Sequence, residues 1–508
     1  MANKYWIILA ILAVLVVGAT QVGRDRTKIY ASPSSHTGTM TFPKDFYWGT
    51  SIAAQHAETQ QPTDWTAFEL DAYKNKRFET GPSLGKAKPG HINDLGSYSE
   101  KVRTEKTGFD RLYPQDMAMA KSMGHNAFRT SIDWARLFPR ADMTEPDPAG
   151  IAFYKGLLAE MKKNGITPFG TLFHFATPAW FFEPDADGKK GWERKDAMEH
   201  WQRFVSAVAD NFVPDIEQWC TLNEPMTYVY NGYIEGVFPP LERRPDVSYA
   251  ADVVESLLKA HVIGYNTLHK AAAAKNAKVN VGIAKHTRDF QPLRNWAPLD
   301  RLTAQAIDQA WNWDFNDAIE SGVLKLTNTK VNKPIEGLKG TEDYVGINYY
   351  GRFYVKTDIL NPTKPEVLLH DPNAKDEPYN DLGWAMYPAG FKYILTEAHK
   401  RYKKPIFILE NGTADRAEDD QLRQRFIVAH LREIWLAKNE GVDIRGYIHW
   451  TLFDNFEWAE GFNARFGLVR LDYENDFKRI PRPSAALYTQ IIQNGISPEL
   501  VQKYGGPK

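Results

Sequence analysis

The chain is predicted to fold as an α/β protein: a (β/α)8 TIM barrel preceded by an N-terminal hydrophobic helix. Two observations predict the barrel and a third predicts the helix. From about Phe42, short β-branched or aromatic runs alternate with longer helical stretches, the mark of an α/β fold. Eight such runs can be counted, where an open doubly wound sheet would have about six. Ahead of them, residues 5–23 carry no charge, and 6–17 are almost wholly aliphatic.

The N-terminal run comes first. At about 1.5 Å per residue, roughly 18 apolar residues nearly cross a hydrocarbon core of about 30 Å. Residues 1–28 are therefore expected to be a single-pass membrane anchor. A cleaved signal peptide, giving a secreted protein, is the competing reading: Lys4 supplies a basic start and Val16-Val17-Gly18-Ala19 a cleavage site. Arg24, Arg26 and Lys28 outnumber Lys4 and the terminal amine, which favours a cytosolic main domain. Residues 29–41, with Ser, Thr and Pro, read as a tether, and 42–508 as one catalytic-size domain.

Strands are expected over 46–52, 126–132, 167–173, 216–222, 279–284, 344–348, 406–410 and 446–450, with helices between them over 150–164, 192–211, 250–275, 302–320 and 421–439. Two long polar excursions, 71–107 and 356–382, interrupt the alternation and are candidates for the rim of a site. No repeat of 20–50 residues is present. The net charge of −1 gives no field that would favour nucleic acid. The single cysteine, Cys220, excludes an intrachain disulfide and is expected to fill space in its strand. The one sequon, Asn411-Gly412-Thr413, falls where a glycan would hardly fit, so neither feature points to the secretory pathway.

Two strands end in carboxylates. Thr221-Leu222-Asn223-Glu224-Pro225 closes the fourth strand and Ile408-Leu409-Glu410-Asn411-Gly412 the seventh. In a (β/α)8 barrel the C-terminal strand ends share one face, so the two side chains converge there. A pair of carboxylates on one face suits glycosidic cleavage, one protonating the leaving oxygen and the other meeting the anomeric carbon. The 15 Trp, 24 Tyr and 27 Phe are compatible with sugar binding, since C–H faces of sugars stack on aromatic rings.

Further motifs accompany the pair in order: Phe46-Tyr47-Trp48-Gly49, Phe128-Arg129-Thr130-Ser131-Ile132-Asp133-Trp134, Thr171-Leu172-Phe173-His174, Gly346-Ile347-Asn348-Tyr349-Tyr350 and Asp454-Asn455-Phe456-Glu457-Trp458. Together they resemble glycoside hydrolase family 1, the retaining β-glucosidases and β-galactosidases, over about residues 42–488. The resemblance implies that Glu224 is the general acid/base and Glu410 the nucleophile. It implies that Arg129 and Tyr350 hold Glu410 ionised, and that Asn223 donates to the sugar 2-hydroxyl. His174, Asn348, Glu457 and Trp458 match hydroxyl-binding positions, Trp450 the stacking platform, and Trp384 the aromatic on the leaving-group side. Trp134 and Trp192 also have counterparts, but packing accounts for them. No cofactor or metal is implied.

One position departs from the family. The Gln that would grip the 3- and 4-hydroxyls is replaced by His56, with Gln55 one residue early. Strand alternation would turn Gln55 to the other face, and imidazole has a different reach from an amide. The Gln-His-x-Glu context, with Asp64-Trp65 and Phe68-Glu69 after it, resembles the divergent branch that contains the plant sensitive-to-freezing galactolipid galactosyltransferase. That branch also has an apolar N-terminus and transfers galactosyl groups to membrane galactolipids rather than to water. The expected function is thus a retaining β-glycosidase acting on β-galactosides or β-glucosides, with a galactolipid transglycosidase as the alternative. The expected partners are a β-linked sugar or glycolipid and, through the N-terminal segment, a membrane. A non-catalytic sugar-binding module is the remote alternative, since such relatives usually lose one of the carboxylates.

Overall fold

Eight parallel strands close on themselves in the computed structural model, which describes residues 30–79, 87–362 and 364–505. They are β1 (Tyr47–Ser51), β2 (Ala127–Ser131), β3 (Thr167–Phe173), β4 (Gln218–Asn223), β5 (Asn280–Pro292), β6 (Tyr344–Lys356), β7 (Ile406–Glu410) and β8 (Ile444–Trp450). Each pairs with its sequence neighbours, β8 returns to β1, and β7 pairs with both β6 and β8, which completes the (β/α)8 TIM barrel. The expected hydrophobic helix over 1–28 lies outside the described residues. Among the described residues no helix is long and apolar enough to cross a membrane.

Inward-facing side chains fill the barrel beneath the site. Ala127, Phe169, Cys220, Ala284, Tyr344, Phe407, Leu409 and Ile448 form one buried cluster, and Cys220 is a filler within it. Some strands approach closer than any side chain allows. A Cβ on Gly346 would stand 2.3 Å from the Ile283 carbonyl oxygen, so glycine is required there. Outside, helices cover the barrel. The one over Pro148–Lys163 starts where a capped turn predicts, with Asp147 accepting from the Ala149 N–H and Pro148 in the first turn.

Four local differences from the sequence reading matter for the site. First, β5 and β6 were expected to stop at 284 and 348 but run to Pro292 and Lys356, because the two strands go on pairing with each other beyond the barrel, from Asp289–Arg352 to Pro292–Val355. Second, the helix expected over 302–320 is broken into Pro298–Asp308 and Asp314–Ser321 by a wider π turn, Gln309–Trp313. That turn aims Asn312 at β5, where its amide takes the Arg288 N–H (3.0 Å) and donates to the Arg288 carbonyl (2.7 Å).

Third, residues 54–57 are one helical turn beyond β1, not strand, so alternation is not what separates Gln55 from His56. Gln55 is turned away because it donates to Glu69 (2.9 Å) and accepts from Thr63 (2.8 Å). Fourth, residues 30–41, expected as part of a tether, lie along the outer wall. The Thr41 carbonyl accepts from Trp435, Ser32 is held by Arg432 and Glu433, and the Tyr30 carbonyl accepts from Ala389 (3.2 Å).

Candidate active site

The site is built where β4 to β7 end. Glu410 is the last residue of β7, opposite Asn348 on β6, which in turn lies opposite His286 on β5. Glu224 follows β4 directly with a left-handed backbone (φ 45°), and Pro225 behind it opens a helical turn. The Glu224 N–H is held by the Ala284 carbonyl at 2.7 Å, which ties this unusual conformation to β5.

A continuous hydrogen-bond chain joins the two carboxylates. Arg129 Nη1 donates to Glu410 Oε1 (2.6 Å) and Nη2 donates to Asn223 Oδ1 (2.7 Å). Asn348 Nδ2 donates to the same Asn223 oxygen (3.2 Å) and to Glu224 Oε1 (2.8 Å). With its oxygen taken twice, Asn223 keeps its amide Nδ2 as a donor for a ligand. Tyr350 donates to the other Glu410 oxygen at 2.6 Å. Arg129 is steadied by Thr171 Oγ1 (3.1 Å) and the Leu409 carbonyl (3.3 Å), and is 1% exposed, so its whole charge is directed at this site.

Protonation follows from which neighbours are permanent charges. Burial pushes Glu410 up, to about 7 with Glu224 charged beside it, against the pull of Arg129 and the Tyr350 hydroxyl. Burial also raises Glu224, whereas a protonated His286 together with Asn348 and Thr227 would pull it down to about 2. The two outcomes belong to one coupled pair and hinge on His286. His286 is not a cation: Arg288 Nε donates to its Nε2 at 3.0 Å, so that nitrogen carries no proton. Burial likewise lowers the His286 pKa. Arg129 donates directly to Glu410, whereas Arg288 reaches Glu224 only through His286, so this geometry places the negative charge on Glu410 and the proton on Glu224.

Around the carboxylates lies an aromatic and polar cup. The His56 ring packs 4.1 Å from Trp458, 5.3 Å from Trp450 and 6.2 Å from His174. Both His56 nitrogens are buried without a protein partner among the described residues, and so is His174 Nδ1. Burial lowers both imidazoles, leaving them neutral, each with one donor and one acceptor. His174 Nε2 is 3.9 Å from Glu410 Oε1. Trp450 donates weakly to Glu457 (3.3 Å), whose carboxyl is pushed up by burial. Trp384 is half-buried at the outer side, 5.7 Å from Tyr350. Thus the structure brings all twelve sequence-predicted site residues into one region.

Trp134 and Trp192 instead belong to a buried aromatic cluster with Phe181 and Trp201. Asn411 is fully buried, donating to the Tyr349 carbonyl and accepting from Tyr447, so its sequon offers nothing to a glycan. Sequence reasoning missed His286, Arg288 and Thr227. The alternation of His286 and Arg288 on the extension of β5 was the available signal, hidden because that strand was ended at 284.

An eight-stranded parallel barrel with two bridged carboxylates at its C-terminal face defines a glycosidase scaffold. Comparison with known proteins places it: a profile of glycosyl hydrolase family 1 matches residues 38–496, and the chain belongs to that family. It is 29% identical to a β-galactosidase of Saccharolobus solfataricus, over 90% of this chain and 96% of that one. Among solved structures, a β-glycosidase from Pyrococcus horikoshii superposes with a TM-score of 0.78 at 33% identity, covering 92% of this chain and 99% of that one. A β-glucosidase from Thermotoga maritima in complex with galacto-hydroximolactam matches with a TM-score of 0.74 at 27% identity, covering 90% and 99%. The protein is a glycoside hydrolase of the β-glucosidase/β-galactosidase type, a retaining β-glycosidase by homology.

Proposed function

We propose that this retaining β-glycosidase works at a membrane surface, with Glu224 as acid/base and Glu410 as nucleophile. The bridge from Glu410 through Arg129, Asn223 and Asn348 to Glu224 is the observation that carries the catalytic assignment. In the first step a Glu410 oxygen bonds to the anomeric carbon while the glycosidic C–O bond breaks, and Glu224 gives its proton to the departing oxygen. In the second, an acceptor hydroxyl loses its proton to Glu224 and attacks the same carbon, releasing Glu410. The acceptor is water in hydrolysis or a sugar hydroxyl in transfer. His56 and His174, with unpartnered nitrogens, offer hydrogen bonds to the ring hydroxyls, and Trp450 its face.

Two features favour a lipid-surface substrate and keep galactolipid transfer as the second reading. Residues 30–41 climb the wall from Trp435 to the first turn of the helix Pro388–Tyr402, which begins on the active-site face because it follows β6. Tyr30, the first described residue, therefore lies at the rim of the mouth. Beyond the tips of β5 and β6, Trp296 is 79%, Ile359 75% and Leu360 90% exposed. His56, at the position where the galactolipid-transferring branch also departs from its relatives, adds to this reading.

The test is product analysis with the full chain, a galactolipid in liposomes, and nitrophenyl β-galactoside and β-glucoside alongside. Lipids with extended sugar heads, absent with Glu410→Gln, would support transfer. Free monosaccharide released from the lipid would support hydrolysis at the surface. Turnover of soluble glycosides alone would overturn the membrane reading, and full activity of Glu410→Gln would overturn the nucleophile.

A further inference from the structure

His286 stands against the acid/base with a cation behind it, an arrangement that the reaction just described does not use. Its Nδ1 is 3.2 Å from Glu224 Oε2 and 3.0 Å from Thr227 Oγ1, and Thr227 also hydrogen-bonds the Glu224 carboxyl. An imidazole so close to a carboxylic acid competes for its proton. Were it to win, Glu224 would be ionised beside an imidazolium, and the first step would have no acid.

The structure blocks that outcome through geometry. Arg288 Nε donates to His286 Nε2 at 3.0 Å, and a guanidinium has no acceptor to offer. Nε2 must therefore stay bare, which fixes the Nδ1–H tautomer and leaves no nitrogen free for a second proton. Arg288 is built to hold this pose. It is 1% exposed, its guanidinium lies 4.4 Å from the ring centres of both Phe353 and Trp384, and Asn312 from the π turn clamps its backbone on both sides. Burial lowers it only to about 10, so it remains a cation at neutral pH.

The groups facing His286 leave Arg288 as its dominant electrostatic neighbour on the far side from Glu224. Lys285, on the same strand, points its Nζ to the His286 carbonyl (2.8 Å) and is lowered to about 7 by burial. From β6 come Asn348 and the Tyr350 ring at 5.8 Å. The turn after β4 brings Thr227, and the π turn brings Trp311 at 5.6 Å, neither of them charged.

We propose that Arg288 is a positioning residue that denies His286 a second proton and so keeps Glu224 protonated for leaving-group departure. The proposal rests on Glu224 being the acid/base. It extends that reading by naming the pair of residues that sets which atom holds the proton. It also explains why a histidine is tolerated against the acid: paired to Arg288 it is a neutral donor, and unpaired it would be a base.

The test compares leaving groups. Arg288→Leu is expected to lower kcat/KM by about 10²-fold on glycosides with alkyl or sugar leaving groups, which need a proton, and far less on a 2,4-dinitrophenyl glycoside, which does not. Adding His286→Asn removes the competing base and is expected to restore most of the loss. Arg288→Lys, which keeps a cationic donor, should lie between. The alkaline limb of the profile for the poor leaving group should move to lower pH in Arg288→Leu.

An equal loss on both leaving groups, or no recovery in the double variant, would overturn the proposal and leave Arg288 a packing residue. The assignment of Glu224 is checked separately with Glu224→Ala. That variant should show the same leaving-group dependence and be rescued by azide on the dinitrophenyl substrate. If it is not, the acid/base reading fails whatever Arg288 does.

Discussion

Arg129 is where charge, hydrogen bonding and burial meet, and it sets the acid side of the pH profile. Burial raises the Glu410 pKa, and Arg129 pulls it back down. The nucleophile must be ionised, so activity falls as pH drops through the Glu410 pKa. Without the guanidinium that pKa rises, and the acidic limb moves to higher pH. In Arg129→Gln the limb of kcat/KM is expected to shift up by about one unit or more, seen in a pH-rate profile. Residual activity should recover toward alkaline pH. An unmoved limb would mean that Arg129 does not govern the nucleophile.

His56 calls for a different measurement, because both its nitrogens are buried with no partner among the described residues. Expected for His56→Ala is a fall of about 10–100-fold in kcat/KM on an intact glycoside, shrinking on a 4-deoxy glycoside that has already lost the hydroxyl. A penalty equal on both would show that His56 shapes the cup without touching that hydroxyl.

At the scale of elements, the strand ends explain why short motifs were readable. Gly412 follows the nucleophile because a Cβ there would stand 1.9 Å from the Trp450 carbonyl oxygen of β8. Gly412→Ala is expected to push β7 away from β8 and cost kcat at least 10²-fold, since a misplacement of about 1 Å at the reacting group has that effect. Tm should drop as well. Kinetics and a melting curve on the one variant check both, and wild-type kcat would show that the strands have room.

All eight strands were legible from apolar runs bounded by polar ones, and Thr167–Phe173 and Ile406–Glu410 coincide with the expected limits. Glu224 and Glu410 were legible because each sits at such an end, whereas Arg129, in the middle of β2, was legible only through the family resemblance. The same rule hid His286 and Arg288. They lie on β5 past its apolar part, where a polar residue reads as the end of a strand unless something polar is known to face it. The π turn at 309–313 was equally invisible, because its purpose is to reach a backbone 24 residues earlier in sequence (Arg288 to Asn312). Gln55 and His56 show the reverse case. The resemblance points to His56, but strand alternation is not what separates it from Gln55: residues 54–57 are helical, and a hydrogen bond to Glu69 turns Gln55 away.

For the whole molecule, the question is which way the barrel mouth points. Residues 30–41 run beside the helix Gln421–Asn439 from Trp435 to Arg425, whose guanidinium lies 5.2 Å from the Tyr30 ring. Tyr30 therefore lies on the active-site face. The same face carries β5 and β6 outward past the His286–Asn348 rung for another six to eight residues, roughly 20–25 Å of strand, to the exposed Trp296, Ile359 and Leu360. Under the membrane reading proposed above, this exposed apolar tip is the part of the mouth that meets the bilayer. Trp296→Ser with Leu360→Ser lies outside the catalytic cup, so turnover of a soluble nitrophenyl glycoside should be unchanged. Turnover of a galactolipid in liposomes is expected to fall about tenfold, with less protein co-sedimenting with the vesicles. Removing residues 1–28 should give the same split, and combining both changes a deeper one. Equal activity of all these variants on the liposome substrate would mean that the tip and the N-terminal run do not bring this mouth to a membrane.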